Sequence, residues 1–75
     1  MRNDTPFREL VRQTYNYAYP IWLTPLELVE EIPGVYSVQY AREINGELLD
    51  DGTIVCQRRG TSRAMEYRLK EAPNV

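Results

Sequence analysis

The chain has 75 residues, a formal net charge of −2, one cysteine and no histidine. This composition excludes an internal disulfide, a metal site built from cysteines and catalysis by a histidine base. The length predicts one domain whose thin core leaves no room for a deep enzyme cleft. No run approaches the roughly 20 apolar residues of a membrane span, and no signal peptide is recognised. We therefore expect a cytoplasmic protein that is not an enzyme and uses no metal or cofactor.

The first predicted helix begins at Thr5-Pro6, where a hydroxyl N-cap precedes a proline at the first helical position. Pro20 ends this helix near residues 17–19. Apolar or small side chains recur along it at helical spacing: Phe7, Leu10, Val11, Thr14, Tyr15 and Ala18. One face of the helix is therefore expected to pack against the core.

Three tyrosines, Tyr15, Tyr17 and Tyr19, lie close together at the end of this helix. They cannot all point inward, because residues two apart on a helix face different sides. Either Tyr15 and one other ring pack on Trp22 while the rest stay half exposed, or exposed rings form a homodimer contact between first helices. The sequence leaves both interpretations open.

The segment Thr24-Pro25-Leu26-Glu27 is the strongest local signal in the chain. Thr24 is suited to cap a second helix, and Glu27 stands where the reciprocal residue of a capping box belongs. Pro33-Gly34 ends this helix after about two turns. The apolar residues 21–23 just before it are too few for a helix and predict a brief strand.

A third helix is predicted from a cap at Ser37 to a stop at Asp51-Gly52. Two segments with period-2 alternation follow, separated by Gly60-Thr61-Ser62, and predict a hairpin with one apolar face. The lone Cys56 lies on that face and is expected to be a buried small hydrophobe. Over all elements the predicted core is Leu10, Leu28, Ile32, Ala41, Ile44, Leu48, Ile54 and Leu69.

Charge is distributed unevenly along the chain. From Thr24 to Thr53 seven acids stand against Arg42 alone, a balance of −6, whereas from Ile54 to Lys70 five bases stand against Glu66, a balance of +4. A partner responds to such local polarity more than to the small net charge. The basic segment predicts an anionic partner.

The stretch from Ile21 to Leu69 resembles a winged helix-turn-helix domain in the segments "WLTPLEL", "IPGVYS", "LLDDGTIV" and "QRRGTSRAMEYRL". The resemblance implies an α+β fold of three helices and a C-terminal hairpin wing, in the order α-β-α-α-β-β. We expect one winged-helix domain over residues 1–70 and, because Pro73 and its neighbours have no anchor, a disordered tail at 71–75. The resemblance also implies double-stranded DNA as partner, with the third helix (about 37–49) in the major groove and the wing (58–63) on the phosphate backbone.

Carried over by position, the DNA-binding residues that the resemblance implies are Ser37, Gln39, Tyr40, Arg42 and Glu43 on the third helix, and Arg58, Arg59, Thr61 and Arg63 on the wing. Glutamine and arginine have the donors to read adenine and guanine edges, and the arginine fork suits phosphate oxygens. Because Arg58 shares the parity of the inward-facing strand residues, Arg59 and Arg63 are the stronger wing candidates.

Two functions remain open at this stage. The first is a small sequence-specific DNA-binding transcriptional regulator. The alternative is a protein–protein interaction module on the same scaffold, of a phage-type or host-factor-binding kind, that uses the acidic third helix or the tyrosine-rich first helix. In that alternative the arginines at the hairpin tip have no binding role and only keep the turn solvated.

Overall fold

In a computed structural model the chain forms three helices followed by a two-stranded antiparallel hairpin. The structure describes residues 5–34 and 36–73. The elements are α1 (Thr5–Ala18), α2 (Pro25–Glu31), α3 (Val38–Asp50), β1 (Ile54–Arg58) and β2 (Met65–Leu69). The α+β class and the order of the three helices and the hairpin are those predicted, and they are compatible with a winged helix-turn-helix. The capping side chain predicted at Thr5 and the last two residues of the predicted tail lie outside the described part.

The starts of α2 and α3 are set by side-chain caps, as the sequence predicts. The Glu27 amide donates to Thr24 Oγ1 at 3.2 Å, and the Thr24 amide donates to Glu27 Oε1 at 2.9 Å, which completes the capping box. The Tyr40 amide donates to Ser37 Oγ at 3.0 Å. Each cap satisfies a backbone N–H that the helix itself leaves without a partner.

The turn after α2 requires glycine. Gly34 has φ of +111°, and a Cβ at this position would lie 3.1 Å from the Tyr36 ring. Side chains rarely adopt this backbone conformation, so Pro33 and Gly34 together end the helix and redirect the chain toward α3.

The core forms where the three helices meet the base of the hairpin. Seven of the eight predicted core residues are buried, and the exception is Leu10, which is half-buried at the edge of the core. The inward positions of α1 are Phe7, Val11 and Tyr15, spaced four residues apart, which places Leu10 on the flank. Leu23 is also buried, although the prediction omitted it. No helix in the described part of the chain is long and apolar enough to cross a membrane.

The hairpin is anchored to the helices at its base. Ile54 pairs with Leu69, and both are buried. Leu23 forms an isolated antiparallel bridge with Tyr67, with N–H···O distances of 2.9 and 2.8 Å in the two directions. The brief strand predicted at residues 21–23 is therefore a single bridging residue, and it ties the segment between α1 and α2 to β2.

The burial predicted for Cys56 is wrong, since this side chain is exposed. Cys56 faces the same side of the hairpin as the buried Ile54, as the alternation predicts. The helices cover that side only at its base, and toward the tip Arg58 and Met65 are exposed as well. Alternation along the strand therefore predicts the correct side of the hairpin for Cys56, but it does not show how far along the hairpin the core extends.

Candidate nucleic-acid interface

The predicted contact residues of α3 divide into two groups. Gln39, Arg42 and Glu43 are exposed. Ser37 is exposed too, but its hydroxyl caps the helix, and the half-buried Tyr40 ring stacks on Phe7 with centroids 4.4 Å apart and an interplanar angle of 19°. The first group is therefore open to a ligand, whereas Ser37 and Tyr40 also hold the helix in place.

The hairpin tip is a short closed turn. The Arg59 amide donates to the Ala64 carbonyl at 2.9 Å, and the Ser62 amide donates to the Arg59 carbonyl at 2.9 Å. Arg58, Thr61 and Arg63 are exposed around this turn. The structure thus presents two of the three predicted wing arginines to solvent.

Arg59 instead folds back onto the body of the protein. Its Nη1 and Nη2 donate to the two carboxylate oxygens of Glu27 at 3.0 and 2.8 Å. Its Nε donates to Glu66 Oε2 at 2.6 Å, and Nη2 also reaches the Trp22 carbonyl at 3.3 Å. Arg59 therefore fastens the turn of the hairpin to the first turn of α2, the opposite of the outward orientation expected from parity.

These ion pairs change the acidity of both carboxyl groups. Hydrogen bonds from Arg59 and from the Thr24 amide lower the pKa of Glu27 from 4.5 to about 2. Hydrogen bonds from Arg59 and Gln57 also lower the pKa of Glu66. Glu66 is only 7% exposed, although alternation predicts a solvated position. Its burial is tolerated because both oxygens are hydrogen-bonded.

The arginines fall into two groups: those held by a carboxylate or an aromatic ring, and those without such a partner, which we call available. Arg8 pairs with Glu47, Arg12 pairs with Glu9, and the Arg68 guanidinium lies over the Tyr19 and Trp22 rings, at 5.4 and 4.7 Å from their centroids. Within residues 5–34 and 36–73, the arginines that form neither an ion pair nor a contact with an aromatic ring are Arg42, Arg58 and Arg63. All three belong to the predicted contact set.

Part of the negative charge of α3 is compensated from α1. Arg8 pairs with Glu47 and lies 4.0 Å from Asp51 through its Nη1. Asp51 also accepts hydrogen bonds from the Thr53 amide and hydroxyl, which lower its pKa. Glu43 and Asp50 remain exposed. The sequence offers no signal for the Arg8 pairing, because the partners lie on helices far apart in the chain.

A groove of about 510 Å³ separates α3 from the hairpin. Arg42 lines it from α3 and Arg63 lines it from the turn, so the two available cations of different elements face one space. Leu26, Val38, Met65 and Tyr67 contribute to the remaining lining.

A second groove, also about 510 Å³, lies on the α1 side of the molecule. Tyr17 is 93% exposed and Ile21 is 61% exposed at this groove. Tyr15 is instead buried in the core, where its hydroxyl donates to Asn45 Oδ1 at 2.7 Å. Of the three tyrosines considered for a homodimer contact, Tyr15 is therefore not on the surface, Tyr19 is half-buried beside Arg68, and Tyr17 is fully available.

Comparison with known proteins gives no match: no family model fits the chain, and no curated protein or solved structure is significantly similar to it. Among the described residues, no three His, Cys, Asp or Glu side chains are grouped so as to hold a metal ion.

Proposed function

We propose that the protein binds duplex DNA with the exposed side of α3 and the tip of the hairpin, as a small transcriptional regulator of the winged-helix kind. The observation that carries the proposal is the distribution of the arginines. In the described part of the chain, the arginines with neither an ion pair nor a ring contact are Arg42, Arg58 and Arg63, and they stand on the two elements that a winged helix presents to DNA. An unpaired exposed guanidinium is available for phosphate oxygens without first losing a carboxylate partner.

The remaining contact residues have complementary roles in this proposal. Gln39 is exposed on α3 and carries the paired donor and acceptor that suit an adenine edge. Arg59 sets the direction of the hairpin through Glu27 and Glu66. The pairing of Arg8 with Glu47 reduces the repulsion between α3 and a polyanion.

The test is fluorescence anisotropy of labelled random-sequence duplexes at several salt concentrations. The parent should bind, with an affinity that falls as salt rises, because each neutralised phosphate releases counterions. The triple variant R42A/R58A/R63A should bind more weakly and flatten the slope of log affinity against log salt by about 0.9 per lost phosphate contact.

R12A is the matched control, because Arg12 is exposed on α1 and already paired with Glu9. It should leave the slope unchanged. No binding of the parent at low salt, or equal slopes for the parent and the triple variant, would reject the proposal.

The second candidate function is self-association through the α1 groove, favoured by the exposure of Tyr17 and Ile21. Exposed aromatic and aliphatic side chains around an apolar groove are typical of protein contacts. Sedimentation velocity over a range of concentrations should then show a dimer that Y17A/I21A abolishes, while DNA binding by the monomer persists. A monomeric parent at every concentration would exclude this candidate.

A further inference from the structure

The groove between α3 and the hairpin has the chemistry of a single anion site. Arg42 contributes one guanidinium from the middle of α3, and Arg63 contributes another from the turn. No residue with a carboxylate lines the groove. The two guanidiniums face the same space, and no acid in the described lining neutralises them. Together they attract one multivalent anion more strongly than either would alone.

The space between the two arginines is mainly apolar. Leu26 is 55% exposed and Met65 is 37% exposed, and both line the groove together with Val38. A free inorganic anion can interact with the two arginines, but it has no apolar part that could contact this lining. A phosphodiester does, because the sugar next to the phosphate has an apolar face that can contact these side chains.

Tyr67 lines the same groove, and Arg42 is close enough to act on its hydroxyl electrostatically. Burial raises the pKa of Tyr67, and Arg42 opposes the rise only in part, so the hydroxyl keeps its proton at neutral pH. A protonated hydroxyl is a neutral donor, which suits an anion with several oxygens.

We propose that this groove binds one phosphodiester of a nucleic-acid backbone, held between Arg42 and Arg63, with the adjacent sugar against Val38 and Met65. The site deepens the proposed function and depends on it for the identity of the ligand. It also changes the role of Arg42, which the resemblance assigns to a guanine edge. Arg42 contacts phosphate and fixes the register of α3, and direct readout is left to Gln39.

A double-mutant cycle on duplex DNA tests whether the two arginines share a ligand. The anisotropy titrations use the parent, R42A, R63A and R42A/R63A, with R42A/R58A as the matched pair, because Arg58 is equally exposed but does not line the groove. If one phosphate is shared, the loss of affinity in R42A/R63A should be clearly smaller than the product of the two single losses. In R42A/R58A the loss of affinity should equal the product of the losses in R42A and R58A.

Selection of binding sites with R42A separates phosphate contact from base readout. The preferred sequence should be the same as that of the parent, with affinity reduced about equally for all duplexes. A changed preference at one base position, or multiplicative losses in R42A/R63A, would overturn the proposal. Circular dichroism melts of each variant should match the parent, because both side chains are exposed.

A nuclear magnetic resonance titration with pyrophosphate tests the groove site independently of DNA binding. Titration should shift the amide signals of Leu26, Val38 and Met65 in the parent and leave them unshifted in R42A/R63A. Duplex binding without a pyrophosphate response at these amides overturns the groove site while DNA binding stands. A saturable pyrophosphate response without duplex binding rejects DNA as the ligand and assigns the groove to phosphate groups from another source.

Discussion

At the scale of single residues, the most consequential pair in the core is Tyr15 and Asn45. Both are almost completely buried, and the Tyr15 hydroxyl donates to Asn45 Oδ1 at 2.7 Å. Burial raises the pKa of Tyr15 despite this hydrogen bond, so the ring stays neutral over the whole physiological range. The pair joins α1 to α3 at a defined register, because a displaced helix would leave two buried polar groups without partners.

We expect Y15F to lower the free energy of unfolding by about 1–3 kcal/mol, since the buried Asn45 carbonyl oxygen loses its donor. Urea denaturation at neutral pH measures this change. Y17F is the control and should have no effect, because Tyr17 is 93% exposed.

The double variant Y15F/N45L distinguishes an unsatisfied polar group from simple loss of packing. Removal of both polar partners should restore much of the stability that Y15F loses. A double variant that is less stable than both singles would show that Asn45 has a further role in the core.

At the scale of elements, Arg59 links the hairpin turn to α2 through two hydrogen bonds to Glu27. Two further hydrogen bonds from Arg59 reach Glu66 in β2 and the Trp22 carbonyl. Its main partner, Glu27, belongs at once to this link and to the capping box of α2. The start of α2 and the direction of the hairpin are therefore coupled through one carboxylate. A hairpin held in this way presents Arg58 and Arg63 at a defined place relative to α3.

The depressed pKa of Glu27 predicts a loss of stability in acid. Its value in the folded protein is about 2, against an ordinary value of 4.5, so the unfolded chain binds more protons between these values. The stabilisation is complete above about pH 5 and is lost progressively as the pH falls toward about 2. E27Q keeps the capping hydrogen bond but removes the charge. The urea midpoint of E27Q should therefore fall less than that of the parent between about pH 6 and about pH 3.

A remaining pH dependence is expected in E27Q, because the pKa values of Glu66 and Asp51 are lowered as well. Equal falls in the urea midpoint for the parent and E27Q would show that the Glu27–Arg59 pair does not contribute to stability.

Arg59 and Arg63 should differ in their effect on DNA binding, although both are wing arginines. R59A should lower the urea midpoint, because Glu66 is then left buried without its cation. It should change the salt slope of DNA binding less than R63A, which removes an available guanidinium. A slope change in R59A as large as in R63A would restore the phosphate contact that the sequence resemblance assigns to Arg59.

At the scale of the whole molecule, the net charge is −2, but the arginines without a partner in the described part of the chain are concentrated on one surface. This surface could accept a polyanion. The available arginines lie on α3 and the hairpin, and Arg8 from α1 pairs with acids at the end of α3. A residue outside the proposed interface thereby makes the electrostatic potential around α3 less negative.

R8A should weaken duplex binding at low salt, because the positive charge that Arg8 places beside Glu47 and Asp51 is then lost and these acids repel the phosphates more strongly. The effect should shrink at high salt, since Arg8 acts through the field and makes no direct contact. Anisotropy titrations of R8A and R12A at two salt concentrations measure this, with R12A unchanged at both. A salt-independent loss in R8A would indicate a structural effect on α3.

Local chemistry in the sequence determined most of the architecture. The caps at Thr24 and Ser37, the stop at Pro33-Gly34 and the period of apolar residues depend on near neighbours. The three helices, the hairpin and seven of the eight predicted core residues are therefore confirmed, whereas the brief strand predicted at residues 21–23 is a single bridging residue. The predicted site residues on α3 and the hairpin are exposed for the same reason, with Tyr40 and Arg59 as the exceptions.

Only the tertiary structure decided which charges are available. The partner of Arg59 lies 32 positions away on α2, and Arg8 meets Glu47 across two helices, so neither pairing leaves a local pattern. The exposure of Cys56 and the burial of Glu66 follow from how far the helices cover the hairpin and from where Arg59 reaches. Backbone periodicity specifies the side of an element that a residue occupies, whereas burial and ion pairing depend on what the rest of the chain places opposite it.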